Sequence, residues 1–567
     1  MLQLPSAAAS LLGFALALRF VLFKLAVRRI LTLAIVNILK LLRLNHQTCP
    51  KRSKTPDSIQ TTNNVSVQPE VKPLLGKYET FTHAWRLWAI FPFLILLALN
   101  AAIDSRIITT PLPTIAREIG SASEYIWIAQ SYLFSSTVSQ PLFSQVANIF
   151  GRQNSFFVAI GLFALGSGIG GGTSNVAMLI ADRAIQGIGA KGGLAGLPEI
   201  IICYLIPPRE RGPYLAAVIL GGVLAEADWQ WIFWINLPVS VVICATVFFI
   251  LKVSYKRNAT WRAALTSVDF AGQAIFIPAI VALFFGLIMG GTEGYPWSSW
   301  RIILPLVLGV IGWGCFHLHQ ASRFCPEPST SPCLFQNRTS ATGFMLILLD
   351  AVVFEAGVSP LTSGVYFVPL ALAIIAFGSL GGAFQCKTSL YKPLHWLGFA
   401  VSAIGTRLLS TLNETSSQTA WVGYQVITSG GLGVVFTATS PSTPAPLPEA
   451  DVATATGTYT FVRAFGLRWG VTMPSIVFNG QINSRLFREA GFDGPGLDKL
   501  QEPSLQQVKG TSESLRVLWL IFVSLFCLGF LATFVERSLS LSISHKSEFA
   551  LDPSLKASPP LTTEEGD

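Results

Sequence analysis

Several ionisable residues stand inside long apolar runs: Asp104 with Arg106, Asp182 beside Arg183, Glu199, Asp350 and Glu355. A charge in hydrocarbon is costly, so such a residue must face a wet cavity or a partner. A carboxylate placed there suits a proton carrier, because its pKa rises towards neutral pH. Asp104 has two quieter readings, as the partner of Arg106 or as a helix-end cap near the outer surface. Glu199 has one, as an interfacial acid. Asp182 and Arg183 are sequence neighbours whose side chains leave a helix about 100° apart, so the two need not pair. Other chemistry finds no footing. The six histidines are dispersed apart from His317-Leu-His319, with no H-x-x-x-H spacing and no Ser/His/Asp constellation. No metal site and no catalytic residue is expected, and the protein is read as no enzyme. There is no G-x-x-x-x-G-K-(S/T) cradle for a nucleotide phosphate. Gly187-Ile-Gly189-Ala-Lys-Gly192 does fit G-x-G-x-x-G, but an apolar helix precedes it where a dinucleotide fold needs a strand. Gly187 and Gly189 are better read as sites where two membrane helices approach closely.

The elements that must hold these residues are membrane helices. Of 567 residues, 51% are hydrophobic and only 12% charged, against roughly 25% charged in a soluble protein. Hydropathy marks candidate spans near 86–108, 125–147, 154–171, 176–206, 213–227, 230–251, 270–291, 302–320, 343–355, 363–384, 393–411, 419–439, 454–478 and 514–535. Two of the fourteen, 213–227 and 343–355, rise only about 20–22 Å against a hydrocarbon core of roughly 30 Å. With the N-terminus inside, Arg152, Arg209, Arg211, Lys252, Lys256, Arg257, Arg262, Arg323, Arg338, Lys387 and Lys392 all fall on cytoplasmic loops. That is the positive-inside bias, and it uses the net charge of +9 without any nucleic-acid partner. Asn413-Glu414-Thr415 would be a glycosylation acceptor on an outer loop. The eight cysteines are scattered and suggest no disulfide framework.

The segments divide as follows. Residues 1–45 are basic and apolar, an interfacial helix, a presequence, or sequence wrongly joined to the true start. Residues 46–83 read as a disordered cytoplasmic tail, 84–252 as an N-terminal helical bundle, and 253–322 as two inserted helices. Residues 323–537 read as a C-terminal bundle with an extramembrane loop at 480–512, and 538–567 as a second disordered tail. Trp127 and Tyr132 are candidate cavity aromatics, whereas Trp297, Trp300, Trp421 and Tyr424 suit interface belts.

Several stretches resemble the fourteen-span drug:proton antiporters of the major facilitator superfamily, of the kind fungi use to export toxins and secondary metabolites. Asp104-Ser-Arg106-Ile-Ile-Thr-Thr-Pro-Leu-Pro113 is similar to the family's L-D-x-T-I-V-x-x-A-L-P, with Arg106 where the family prefers Thr. Ser144-Gln-Val-Ala-Asn148-Ile-Phe-Gly151-Arg152-Gln153 is similar to G-x-L-a-D-x-x-G-R-(K/R), which the resemblance implies is a cytoplasmic gate. Ser144 replaces Gly there, and Asn148 replaces Asp, removing a charge. Arg183-Ala-Ile-Gln186-Gly187-Ile-Gly189 resembles G-R-x-x-Q-G-x-G, implying that Arg183 assists proton transfer and that Gln186 lies by the cavity. Glu199 falls where relatives often carry Asp. The antiporter signature G-x-x-x-G-P-x-x-G-G survives only as Gly221-Gly222, and against the family pattern about a dozen residues are missing before Trp229-Gln-Trp231-Ile-Phe-Trp234-Ile-Asn236-Leu-Pro238. A similar loss is read into 343–355. Ala445-Pro-Leu-Pro448-Glu449 and Phe461-Val-Arg463-Ala-Phe465-Gly466 resume the pattern. Arg463 reaches the cavity or anchors its helix.

The resemblance implies an all-α polytopic membrane protein of major facilitator fold: two six-helix bundles plus two inserted central helices, about fourteen spans with two short. The expected function is proton-coupled export of a small amphipathic organic molecule, powered by the proton gradient with no cofactor. A transport-incompetent member and an uptake transporter for iron chelates are the alternatives. The chain is expected to work as a monomer in the lipid bilayer, at the plasma membrane before an internal one.

Overall fold

The computed structural model describes residues 125–173, 175–195, 229–250, 261–290, 295–322, 325, 327–357, 364–412, 416–489 and 505–539. No strand occurs among the described residues. The helices are α1 (Tyr125–Val138), α2 (Gln140–Phe150), α3 (Arg152–Gly171), α4 (Val176–Gly187), α5 (Trp229–Ile250), α6 (Trp261–Thr266), α7 (Phe270–Met289), α8 (Trp300–Gln320), α9 (Arg338–Gly357), α10 (Gly364–Thr388), α11 (Lys392–Leu409), α12 (Gln418–Ser442), α13 (Glu449–Glu489) and α14 (Leu505–Ala532). A π-helical segment, Ile188–Ala195, continues α4, and short 3-10 turns lie at Pro332–Phe335 and Thr533–Val535.

Local chemistry sets the boundaries. Gly151 separates α2 from α3 at φ 88°, a left-handed conformation that a side chain rarely adopts. Asn175 caps α4 by accepting from the Met178 amide at 2.8 Å, and Asp269 caps α7 by accepting from the Gly272 amide at 2.8 Å. Ser299 and Ser417 cap α8 and α12 in the same way. In α12 and α13 the buried hydroxyls of Thr437, Thr439, Thr443, Thr456, Thr458 and Thr472 donate to carbonyls four residues back. Polar side chains in lipid are thus satisfied without leaving the helix.

Four helical segments among the described residues are long and apolar enough to cross a bilayer: 152–171, 270–289, 300–320 and 515–535. Ile303, Leu304, Val307, Leu308 and Ile311 on α8, and Leu372, Leu380 and Phe384 on α10, are exposed. Such faces would be untenable in water and are the surface lipid covers.

The span at 343–355 is not short. α9 runs for twenty residues, about 30 Å, because it begins at Arg338. Thr339 and Ser340 are fully buried in its first turn, and Ser340 donates to the Thr443 carbonyl at 2.8 Å. α13 continues to Glu489 and α14 begins at Leu505, so the connection is tighter than the 480–512 loop read from hydropathy. Cys333 is disulfide-bonded, which the cysteine spacing did not foreshadow.

α1 packs on α4, α3 on α4 and α5, α9 on α13, and α12 on α10 and α11. The α7–α8 hairpin touches both α1 and α13. Its contacts are aromatic: Phe134 stacks on Phe284 at 5.6 Å, Phe284 meets Phe465 at 5.4 Å, and Phe276 meets Phe461 at 5.2 Å. The C-terminal end of α14 is tied to α11 by Glu536, which bonds His395 at 2.9 Å and offers its carbonyl to Lys392 at 2.7 Å.

Candidate functional site

The first cluster lies among α1, α3, α4 and α5. Asp182 and Arg183 are fully buried, and they do pair, with Arg183 Nε 3.5 Å from Asp182 Oδ1. The 100° between neighbouring positions is bridged because arginine is long enough to fold back. The guanidinium also lies 5.8 Å from the ring centroid of Tyr132, which is 2% exposed. Tyr132 therefore serves the arginine rather than an open cavity, shielding the cation with its π face. One turn on, Gln186 donates to Ser167 Oγ at 3.0 Å, and Asn236 donates to the same oxygen at 3.4 Å. Ser167 and Asn236 escaped the sequence reading. The available signal was an amide in the middle of an apolar helix.

Small residues make that cluster possible. A Cβ on Gly187 would fall 2.5 Å from the Tyr132 carbonyl oxygen, and one on Gly189 would fall 2.6 Å from the Ala159 carbonyl oxygen. The glycines thus let α1 and α3 touch the backbone of α4. Directly after Gly187 the helix widens into its π segment, which holds Gly189, a form associated with functional positions.

The second cluster lies at the junction of α2 and α13. Ser144 donates to the Ala453 carbonyl at 3.1 Å, and Asn148 donates to Thr454 Oγ1 at 3.4 Å. These bonds join α2 to α13 across the two halves. Arg152 opens α3 and is 7% exposed. Gln145, between the motif residues, accepts from the Asp269 amide at 3.2 Å and donates to the Glu327 carbonyl. It links α2 to the start of the α7–α8 hairpin. Asp269 in turn bonds His319 at 2.9 Å and accepts from Gln320. Asp269, His319 and Cys325 bring one ligand atom each within 4.8 Å of one another, a donor set for a soft divalent ion that the linear spacing concealed. Both Asp269 oxygens already accept hydrogen bonds. Burial, and then the Asp269 charge, push the Cys325 thiol up to about 12, which makes it a protonated donor here.

Trp127 stacks on Phe285 of the α7–α8 hairpin at 5.4 Å, which places it at the seam between α1 and that hairpin. Arg463 lies 5.2 Å from the Phe436 ring centroid and 6.0 Å from that of Tyr459. Its charge acts on Asp350, which is 4% exposed on α9. Asp104, Glu199, Gly221 and Gly222 lie outside the described residues. A pocket of about 220 Å³ is found at Tyr391, Pro393, Trp396 and Leu539, at the N-terminal end of α11.

The family model of the Major Facilitator Superfamily matches residues 94–470. An "MFS efflux transporter" (aclA) of Aspergillus oryzae is 38% identical, covering 84% of this chain and 94% of that protein. An "efflux pump" (FUS6) of Gibberella moniliformis is 35% identical over 90% of this chain and 99% of its own length. Among solved structures, the human organic anion transporter MFSD10 aligns at TM-score 0.50 and 15% identity, over 79% of this chain and 99% of that one. The proton:xylose symporter XylE aligns at 0.50 and 16%, over 79% and 95%. The alignment to the Aspergillus protein spans 521 positions. Since 84% of 567 residues is about 476, roughly 45 of those positions stand opposite gaps in this chain.

Proposed function

The chain belongs to the Major Facilitator Superfamily, and from that premise we propose that it exports small amphipathic organic molecules against an inward flow of protons. It is a multi-pass integral membrane protein, and its relatives are efflux transporters. Alternating access needs two halves that close over one end of a shared path. The observation that carries this reading is the α2–α13 junction, where Ser144 and Asn148 bond the Ala453 carbonyl and Thr454. These are neutral bonds, weaker than an ion pair, so the contact can be broken and remade during transport.

For the coupling, Arg183 is the positioned cation, with Asp182 and Tyr132 fixing it and Asp104 and Glu199 as the acids that load protons. Gln186, Ser167 and Asn236 form a neutral polar path beside it. The protein works as a monomer at the plasma membrane, and no cofactor is required beyond the proton gradient.

A second reading is favoured by the roughly 45 aligned positions that this chain lacks: a member that keeps the scaffold without flux. One experiment separates the two. Cells expressing the chain are loaded with a fluorescent amphipathic dye, and its exit is followed before and after a protonophore. Exit that stops with the gradient supports export. No exit beyond vector cells supports the silent scaffold. Gradient-dependent exit that survives Asp104→Asn removes Asp104 from the proton path.

A further inference from the structure

A buried carboxylate in the opposite half has no role in the scheme above. We propose that Asp350 on α9 is a second proton-binding site, gated by Arg463 on α13. The proposal deepens the export reading, on which it depends only for what the proton is used for.

The two residues share a depth. Asp350 stands twelve residues from the start of α9 at Arg338, about 18 Å along it, and Arg463 fourteen from Glu449, about 21 Å. The helices are in close contact there: a Cβ on Gly466 would fall 2.8 Å from the Leu348 carbonyl oxygen and from Ala351 Cβ. Ile347 and Tyr459 belong to one core cluster. Asp350 is three residues on from Ile347, and Arg463 four on from Tyr459, so each steps about one turn along the same facing surfaces. Asp350 is 4% exposed, and its Oδ1 receives no hydrogen bond. Burial governs this carboxyl group first and the charge of Arg463 second; that guanidinium leans on the rings of Phe436 and Tyr459.

A carboxyl group buried in hydrocarbon with an open oxygen holds a proton unless a cation comes close enough to pair with it. Arg463 rides on the same helix as the gate contacts, ten residues above Ala453. A movement of α13 that breaks the Ser144 bond therefore also moves the guanidinium. One proton sits on a carboxylate oxygen of Asp350 as a neutral acid while Arg463 stands off, and it is released when the movement brings the guanidinium up to the carboxyl group. Other ionisable groups stand on the elements around Asp350. α13 adds Tyr459 and Arg468 in its middle, Glu449 and Asp451 at its start, and Arg485, Arg488 and Glu489 at its end. α12 has Tyr424, and α14 has Lys509, Glu513, Arg516 and Cys527. α9 itself carries Arg338 and Glu355, and Cys333 in the turn before it is disulfide-bonded and does not titrate.

The test reads the proton without any transported compound, so its failure is distinct from failure of the export reading. Infrared difference spectra of the full-length protein in lipid nanodiscs are recorded between about pH 8 and about pH 5. The expected result is the carbonyl stretch of a protonated, non-aqueous carboxylic acid that shifts in heavy water. It should vanish in Asp350→Asn, change frequency in Asp350→Glu, and grow at the higher pH in Arg463→Gln. Asp350→Glu keeps the acid, so it guards against misfolding of the amide variant. Identical spectra for wild type, Asp350→Asn and Asp350→Glu, or no such band at any pH, overturn the proposal.

Discussion

At the scale of single residues, burial turns each charge into a commitment. Arg183 and Asp182 are both fully buried and 3.5 Å apart. Removing one member of a buried pair typically costs ~3–5 kcal/mol, because the other charge stays behind, whereas replacing both costs far less. Arg183→Gln should therefore lower the melting temperature of the detergent-solubilised protein more than the double change Asp182→Asn with Arg183→Gln. A double variant no better than the single one would mean that the pair is not the unit. Cys325 offers a pH test. Its thiol is pushed up to about 12, first by burial and then by Asp269, against roughly 8.5 for a free thiol. The protonated form is thus favoured in the fold. The stability linked to this group is fully present below about pH 8.5 and declines as pH rises towards 12. At pH ~8 its alkylation, read by mass spectrometry of the peptide, should be at least about a hundredfold slower than after denaturation. These residues differ in how visible they were beforehand. Arg183 stands out because a cation in an apolar run needs a reason. The Asp269–His319–Cys325 group could not be read, since its members are fifty and six residues apart and meet only when α7 and α8 close as a hairpin.

At the scale of elements, contact between backbones decides what a position tolerates. Gly187 lies against the Tyr132 carbonyl, while Gly161 on α3 has nothing within 4 Å of its would-be Cβ. Gly187→Ala should cost about 1–3 kcal/mol by overpacking, and Gly161→Ala nothing; thermal melts of the two variants side by side check this. A Cβ on Gly457 would collide with the Ser144 side chain. Gly457→Val should thus force α2 from α13 and populate the state open to the cytoplasm. Spin labels at the cytoplasmic ends of these helices should report a longer distance, and an unchanged one would remove the junction from the gate. Helix positions were largely legible: hydropathy put spans at 230–251 and 270–291, and the helices are Trp229–Ile250 and Phe270–Met289. It failed at α9 because that helix starts with Arg338, Thr339 and Ser340. A hydropathy window treats such residues as loop, whereas here the two hydroxyl residues are buried against other parts of the fold. The π segment after Gly187 was equally hidden, since its residues are as apolar as an ordinary helix.

At the scale of the whole molecule, the question is what holds two halves together while they rock. Helices in lipid gain little from the hydrophobic effect, so shape and dispersion must supply cohesion. The α7–α8 hairpin supplies a run of rings: Phe134 and Trp127 meet Phe284 and Phe285 on one side, and Phe461 and Phe465 meet Phe276 and Phe284 on the other. Phe284 touches both halves, with ring centroids 5.6 Å from Phe134 and 5.4 Å from Phe465. A ring contact of this kind contributes about 0.5–1.5 kcal/mol beyond its buried area. That is enough to bias a conformational equilibrium by severalfold and too little to lock it. The hairpin is therefore an elastic seam, tied at its cytoplasmic end by Gln145 and Asp269. Phe284→Ala should leave the protein folded, with a loss below the ~3–5 kcal/mol of a Phe→Ala change in a water-soluble core, because lipid can refill part of the gap. Its signature should be dynamic. Electron-spin distances between labels at Leu165 on α3 and Leu380 on α10, both exposed, should broaden relative to the parent. Phe270→Ala, on the same hairpin but 57% exposed, should leave the distribution unchanged. If both variants behave alike, the inserted helices are passengers in the bilayer, and the coupling between halves rests on α2 and α13 alone.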